Sequence, residues 1–248
     1  VTESLNLALA GILKPGDHVV TGSMEHNSMM RPLRFLEQNG VKVTTVPGDE
    51  KGGIDPSDFA KAVTNRTRLF ALNMASNVTG RIAPYKEVGR IAREKGLLFL
   101  ADSAAAAGSL PIDAQADCID LLAFTGHKGL LGPTGTGGLV ISDRVDVTKM
   151  DPLKRGGTGS LSDRESQPGF LPDKFESGTP NIIGIAGLLA SVGWILDKGV
   201  QNIRTRQIAM NDRLVRGLAS IDGVKIFSPL DEKQITGYDR GSCIGKPL

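Results

Sequence analysis

Short apolar runs and longer amphipathic stretches follow one another through the first 150 residues of the chain. Runs of four to six mostly apolar residues predict buried strands, whereas apolar residues spaced three and four apart predict helices. The predicted strands are His18–Thr21, Val41–Val46, Leu69–Met74, Leu97–Ala101, Ile119–Phe124 and Gly138–Ile141. The predicted helices are Glu3–Leu13, Met29–Gln38, Pro56–Val63 and Tyr85–Lys95.

Helices that separate successive strands in this way indicate βαβ units. The pattern therefore predicts an α/β fold with a mixed, mainly parallel central sheet and helices on both faces. Ligands of such sheets bind beyond the carboxyl ends of the strands. The polar residues at those predicted strand ends are Asn77, Asp102, Thr125, His127 and Lys128.

The pattern changes after residue 150. Residues 150–180 are glycine-rich and loop-like, and Ile182–Lys198 and Ile203–Leu218 are two further predicted helices. Val224–Phe227 resembles a single strand, and the tail from Ser228 is polar. We expect a large domain over residues 1–200, with a helix and the start of an incomplete small domain over 201–248. Because the chain enters a helix pattern directly from Val1, we expect a fragment of a longer protein.

Composition narrows the possible functions. The chain has 248 residues, of which 40% are hydrophobic and 23% charged, with a net charge of +2. This balance gives no argument for nucleic-acid binding. Apolar stretches end well short of the roughly 20 residues that a membrane span needs, and no signal-peptide pattern is present. Two distant cysteines form no disulfide framework, which fits a reducing, cytoplasmic location.

An amine and a carboxylate stand at the ends of two successive predicted strands. Lys128 follows one strand and Asp102 follows the strand before it. A buried lysine tends to lose its proton, and the neutral amine can attack a carbonyl carbon. The pair suits pyridoxal 5′-phosphate (PLP), which uses a lysine Schiff base and a carboxylate partner. Alternatively, Lys128 is a surface lysine and Asp102 a helix N-cap, a role compatible with cofactor binding.

Several segments of the chain resemble the class V group of fold-type I PLP enzymes, most closely the cysteine desulfurases and selenocysteine lyases. The matching segments are Val1-Thr2-Glu3-Ser4-Leu5-Asn6, Met24-Glu25-His26-Asn27-Ser28, Asn77-Val78-Thr79-Gly80, Asp102-Ser103-Ala104-Ala105, Thr125-Gly126-His127-Lys128 and Glu176-Ser177-Gly178-Thr179-Pro180-Asn181. They occur in the order of the family, so the resemblance implies a PLP-transferase type I large domain.

The resemblance also implies roles for individual residues around the ring of PLP. Lys128 would form the Schiff base and move protons at the α-carbon of the substrate. Asp102 would pair with the pyridine nitrogen, and His26 would stack on the ring and take part in proton transfer. Asn77 would bond the phenolic oxygen, and Ala104 would also lie at the cofactor. Alternatively, His26 is a loop histidine and Asn77 a turn residue.

Phosphate binding is implied at the start of the first helix. Thr2 and neighbouring backbone N–H groups would bind the phosphate, since the N-terminus of a helix attracts anions. Thr125 and His127 would add side-chain donors, and Thr158 would reach the phosphate of the partner subunit in a homodimer. The alternatives are helix capping for Thr2 and a flexible surface loop around Thr158.

Two features depart from the family pattern. Ala105 stands where the family usually has a glutamine that donates to the phenolic oxygen. Cysteine desulfurases also need a cysteine nucleophile on a mobile loop, and the chain offers Cys118 and Cys243. Cys118 precedes a predicted buried strand and reads as an inert thiol. Cys243 lies in an Arg-Gly-x-Cys sequence but comes early for that loop.

The function implied is conversion of L-cysteine to L-alanine, with the sulfur passed as a persulfide to an acceptor protein. Other class V activities remain open, namely those of a selenocysteine lyase, an aminotransferase or an epimerase. A non-catalytic PLP fold that serves as a scaffold is a further alternative. The residues do not distinguish these reactions, because the nucleophile loop is not recognisable in the chain.

Overall fold

The computed structural model describes residues 1–229, 231–236 and 244–245. The strands of its main sheet are β1 His18–Gly22, β2 Lys42–Val46, β3 Thr67–Asn73, β4 Leu98–Asp102, β5 Leu121–Thr125 and β6 Gly137–Ile141. They lie in the order β2-β1-β3-β4-β5-β6. β1 to β5 are parallel and β6 is antiparallel to β5, which confirms the predicted mixed, mainly parallel sheet.

Helices cover both faces of this sheet, as the pattern predicted. They are α1 Thr2–Ile12, α2 Asn27–Gln38, α3 Pro56–Lys61, α4 Tyr85–Glu94, α5 Ile182–Lys198 and α6 Val200–Ala219. One apolar cluster joins α1 and α2 to the sheet and contains Leu5, Leu9, Met29, Leu33, Val19, Leu69, Leu100 and Leu121. The other joins α3 and α4 to the opposite face and contains Phe59, Tyr85, Val88, Val20, Phe70 and Phe99. The sheet is thus buried on both sides, which explains its continuous apolar strands.

The C-terminal helices differ slightly from the predicted bounds. Gly199 adopts a positive φ of 78° and ends α5, and α6 begins directly after it at Val200 rather than at Ile203. Beyond α6, β7 Lys225–Ile226 pairs with β8 Ile244–Gly245. The Ile82 N–H donates to the Gln234 carbonyl at 2.8 Å, so this segment contacts the loop after β3. The division between residues 200 and 201 stays a prediction.

α5 carries apolar side chains on the surface. Ile183 is 88% exposed, and Ile182, Leu189, Trp194 and Leu196 are also at least half exposed. Within the described residues no single helix is long and apolar enough to cross a membrane. The pair α5 and α6 passes that test together but is bent by 83°.

A buried carboxylate holds the amino-terminal edge of the sheet. Asp120, just before β5, accepts hydrogen bonds from the Phe99 N–H at 3.0 Å and from Ser142 Oγ at 3.2 Å. Arg144 Nη1 lies 2.9 Å from both of its carboxylate oxygens, and Arg93 lies at 3.6 Å. The buried charge is therefore paired and joins β4, β5, β6 and α4. Removing one partner of such a pair typically costs about 3–5 kcal/mol.

His18 links three strands at the same edge. Its Nδ1 lies 2.8 Å from Thr67 Oγ1 and its Nε2 lies 2.8 Å from Thr44 Oγ1, which places the ring between β1, β2 and β3. Burial, with a smaller contribution from the charge of Lys42, lowers the pKa of His18 below its ordinary value of 6.5. The fold therefore favours the neutral ring.

We expect the free energy of unfolding to fall as the pH falls through about 6.5, because the unfolded chain then binds a proton that the folded His18 does not. Replacing His18 with Gln should flatten this part of the profile between about pH 7.5 and 5.5. Urea unfolding at several pH values measures the effect. The exposed-histidine variant His127→Gln is the control and should keep the slope. An unchanged slope in His18→Gln would contradict the assignment.

Candidate active site

Polar side chains lie together at the carboxyl ends of the parallel strands, here called the carboxyl edge of the sheet. They are on the face that α1 and α2 cover. Ala71, Leu100 and Ala123 belong to the apolar cluster on this face. Two residues further along each strand come Asn73, Asp102 and Thr125, which therefore point to the same face because side chains alternate along a strand. Asn73 pairs directly with Asp102, and Asp102 pairs with Ala123. All three of these polar residues are buried.

Asp102 is a buried carboxyl group at the centre of this edge. It is 1% exposed, and its Oδ1 accepts a hydrogen bond from the Ala104 N–H at 2.9 Å. Burial raises the pKa of Asp102 above its ordinary value, and the Ala104 N–H, Lys128 and His26 offset only part of this rise. The structure thus brings together the predicted residues Asp102, Lys128 and His26. Among the described residues Asp102 has no arginine partner of the kind that Asp120 has at the opposite edge, so it can accept a cationic partner from a ligand.

Lys128 lies in a tight loop that follows β5. The Leu131 N–H donates to the Lys128 carbonyl at 2.9 Å, and the Gly132 N–H donates to the Gly126 carbonyl at 2.7 Å. The loop backbone is thereby fixed on both sides of the lysine. Lys128 is half-buried, which corrects the expectation of a buried side chain.

Close backbone packing sets the position of this loop. A Cβ atom on Gly108 would lie 2.1 Å from the Gly129 carbonyl oxygen, and one on Gly129 would lie 2.4 Å from the Ala107 carbonyl oxygen. Gly108 also has a positive φ of 81°. The segment after Asp102 therefore packs directly on the lysine loop, at a distance that only glycine permits.

His26 is the N-cap of α2. Its Nδ1 accepts a hydrogen bond from the Ser28 N–H at 3.1 Å and lies 2.7 Å from Ser28 Oγ. The cap begins α2 at Asn27 rather than at Met29. In the neutral ring the proton then sits on Nε2, because Nδ1 is an acceptor. His26 is exposed, so the cap fixes the imidazole where it can contact a bound molecule.

The predicted phosphate residues line a cleft of about 620 Å³. Val1, Thr2, Thr125 and His127 all contribute to its wall, and Thr125 Oγ1 lies 3.1 Å from His127 Nδ1. Val1 is the N-cap of α1, and Thr2 is the first helical residue with no side-chain cap bond. Thr2 is therefore not a capping residue, and the helix presents its N–H groups to the cleft.

The remaining predicted residues are placed as follows. Asn77 is exposed in the loop after β3. Ala104 is 8% exposed and lies on the turn that binds Asp102. Thr158 Oγ1 lies 3.3 Å from Ser160 Oγ, and the Gly157 carbonyl accepts a hydrogen bond from the Gly178 N–H at 2.8 Å. The glycine-rich loop therefore packs on residues 176–178 of its own chain, and a role for Thr158 in a partner subunit stays a prediction.

Cys118 lies at the edge of the sheet away from the cleft. It precedes β5, whereas Lys128 follows β5, and five strand residues span about 17 Å at roughly 3.3 Å per residue. Cys118 is half-buried in a turn with a positive φ of 58°, so it is not a core thiol. Cys243 lies outside the described residues.

Two buried side chains at this edge were not singled out from the sequence. Asn73 lies beside Asp102, and Glu25 Oε2 accepts a hydrogen bond from the Asn73 N–H at 2.8 Å. Strand alternation could have indicated Asn73, since it follows Ala71 on the same face. No local pattern indicates Glu25, because its contact joins residues that are 48 positions apart.

The chemistry of this edge fits PLP. A cleft bordered by a helix N-terminus, a hydroxyl group and an imidazole suits a phosphate. The Val1 nitrogen, which lines that cleft, lies within electrostatic range of both Asp102 and Lys128. A buried carboxyl group suits a protonated pyridine nitrogen, and a half-buried amine suits an aldehyde.

Comparisons with known proteins identify the family of the chain. A probable cysteine desulfurase from Methanothermobacter thermautotrophicus is 38% identical over 95% of this chain and 59% of its own length. The apo structure of a cysteine desulfurase from Thermococcus onnurineus NA1 has a TM-score of 0.85 and 34% identity, and the match covers 95% of this chain and 60% of that chain. The cysteine desulfurase CsdA from Escherichia coli has a TM-score of 0.79 and 30% identity, with 92% and 58% covered.

This chain therefore spans about three fifths of the length of these relatives. The family model described as aminotransferase class-V matches residues 1–238, which include every predicted site residue. The family model and these relatives show that the chain belongs to the class-V aminotransferase family.

Proposed function

We propose that the chain is the PLP-binding part of a cysteine desulfurase-like enzyme that acts on L-cysteine. The observation that carries this proposal is the buried carboxyl group of Asp102. Lys128 and His26 lie near enough to influence its pKa, and it has no arginine among its described partners. The relatives named cysteine desulfurase support the substrate.

PLP, when bound, supplies an electron-accepting ring that stabilises negative charge at the α-carbon of an amino acid. Asp102 would hold a proton at the pyridine nitrogen, which keeps the ring electron-poor. Its burial strengthens that interaction, because a charge pair is screened less inside a protein than in water. The Ala104 N–H fixes the direction of the carboxyl group.

Lys128 would bind the cofactor covalently and move a proton at the α-carbon of the substrate. The backbone hydrogen bonds on both sides of Lys128 fix the position from which its side chain extends. The α2 cap engages Nδ1 of His26 and leaves Nε2 available to a bound molecule. His26 can therefore contact the ring face and donate a proton without losing its orientation.

Phosphate binding would hold the other end of the cofactor. The N–H groups at the start of α1 and the side chains of Thr125 and His127 converge on one cleft. Glu3, in the first turn of α1, is paired with Lys154 at 2.7 Å. Its negative charge is thereby partly compensated next to the proposed anion site.

The first prediction concerns cofactor attachment. Incubation with PLP should give a visible absorbance band, and borohydride reduction followed by mass spectrometry should place the cofactor on Lys128. Replacing Lys128 with Ala should abolish the band, because the attacking amine is lost. The variant Lys95→Ala removes an exposed lysine on the C-cap of α4 and is the control. A reduced adduct on another lysine would contradict the site.

The second prediction concerns sulfur chemistry. In the described residues no cysteine lies at the cleft, since Cys118 is at the far edge of the sheet. We expect little sulfide release from L-cysteine with a reductant present, and no change in Cys118→Ser. The methylene-blue sulfide assay measures this. A high rate that disappears in Cys243→Ser would instead identify Cys243 as the nucleophile.

The third prediction concerns association. The exposed apolar residues of α5 support a homodimer, in which each subunit would lend Thr158 to the phosphate site of the other. Mixed Lys128→Ala and Thr158→Ala subunits should then form one site with both residues intact. That site should bind PLP more tightly than either parent homodimer, as measured by fluorescence titration. A monomer in sedimentation that holds PLP with full affinity would exclude this arrangement.

A further inference from the structure

The carboxyl group of Glu25 is enclosed at the carboxyl edge of the sheet. Its Oε2 accepts a hydrogen bond from the backbone N–H of Asn73 at 2.8 Å, and the Gly22 N–H lies close enough to the carboxyl group to favour its charged form. Its Oε1 is shielded from solvent and has no hydrogen-bond partner among the described residues. Glu25 is half-buried as a residue, but this carboxyl oxygen is not accessible to solvent.

These contacts tie together the ends of two strands. Gly22 is the last residue of β1 and Asn73 is the last residue of β3. Asn73 pairs with Asp102 on β4, and His26 follows Glu25 in the chain. A single side chain therefore connects the backbone beside Asp102 to the cap that orients His26.

Gly22 makes room for this carboxyl group. A Cβ atom at position 22 would lie 3.1 Å from Glu25 Oε1 and 2.7 Å from Ile54 Cδ1. The strand end thus leaves space that the Glu25 side chain fills, which is why a glycine suits the end of β1.

Glu25 and Asp102, the two buried carboxyl groups at this edge, differ in the groups that act on their pKa. Burial raises the pKa of Glu25 well above its ordinary value, and the charge of Asp102 on β4 raises it further. The groups that face Glu25 from β1 and β3 are neutral N–H donors. Burial also raises the pKa of Asp102, but the Ala104 N–H and the nearby Lys128 and His26 side chains partly offset that rise. Of the two, Glu25 therefore has the stronger tendency to keep its proton, because no cation among the described residues opposes the effect of its burial.

We propose that Glu25 is a positioning residue, which as a neutral carboxylic acid joins the ends of β1 and β3 and leaves the negative charge to Asp102. The proposal rests on the PLP site proposed above. A second carboxylate beside Asp102 would draw a proton onto Asp102 and weaken its pairing with the pyridine nitrogen. A neutral acid avoids this repulsion and still accepts the hydrogen bond from the Asn73 N–H.

Infrared difference spectroscopy of the cofactor-free protein tests the protonation directly. The carbonyl stretch of a protonated carboxylic acid should be present at neutral pH, shift on ¹³C-glutamate labelling and disappear in Glu25→Gln. It should remain in Glu87→Gln, which replaces an exposed glutamate on α4. Absence of the band from the wild-type protein would overturn the proposal, whether or not PLP binds.

PLP affinity tests the positioning role. Glu25→Gln mimics the neutral acid and should keep the dissociation constant within about threefold, whereas Glu25→Ala should weaken binding by about tenfold or more. The pH dependence of the visible band should also stay unchanged in Glu25→Gln. Equal losses in the Gln and Ala variants would contradict the neutral-acid role. A protein that shows the infrared band but binds no PLP would refute the cofactor assignment and the pairing to Asp102 with it.

Discussion

The parallel register of β3, β4 and β5 is the constraint on which the site depends. It aligns Asn73 with Asp102 and Asp102 with Ala123, so that strand alternation sends Asn73, Asp102 and Thr125 to one face. A shift of one residue in any of these strands would turn its polar end to the opposite face. The apolar clusters on both sides of the sheet fix the register, because every shift would also expose core residues.

The two edges of the sheet treat buried charge differently. At the amino-terminal edge, Asp120 is matched by Arg144 and Arg93 and by neighbouring donors, so the charge is compensated within the protein. At the carboxyl edge, Asp102 has one backbone donor and more distant cations. Buried charge is costly without a partner. The amino-terminal edge therefore contributes to stability, whereas the carboxyl edge has a buried carboxyl group that a ligand can pair with.

Much of the fold was predictable from the sequence, because the apolar runs of the sheet are regular. The strand positions, the mixed topology and the proximity of Asp102 to Lys128 all follow from that periodicity. The capping role of His26 was not predicted, since it depends on the dihedral angles of one residue and on Ser28. The half-buried state of Lys128 was not predicted either, because strand periodicity does not describe the exposure of a loop residue.

Gly108 and Gly129 are important to this site because they have no side chain. Their backbones approach too closely for any side chain, so neither residue contributes a functional group and neither attracts notice in a search for reactive chemistry. In a saturation mutagenesis experiment, both positions would nevertheless show the intolerance usually associated with catalytic side chains. Libraries designed to alter substrate preference around Lys128 should accordingly hold these two positions constant and vary the cleft wall instead.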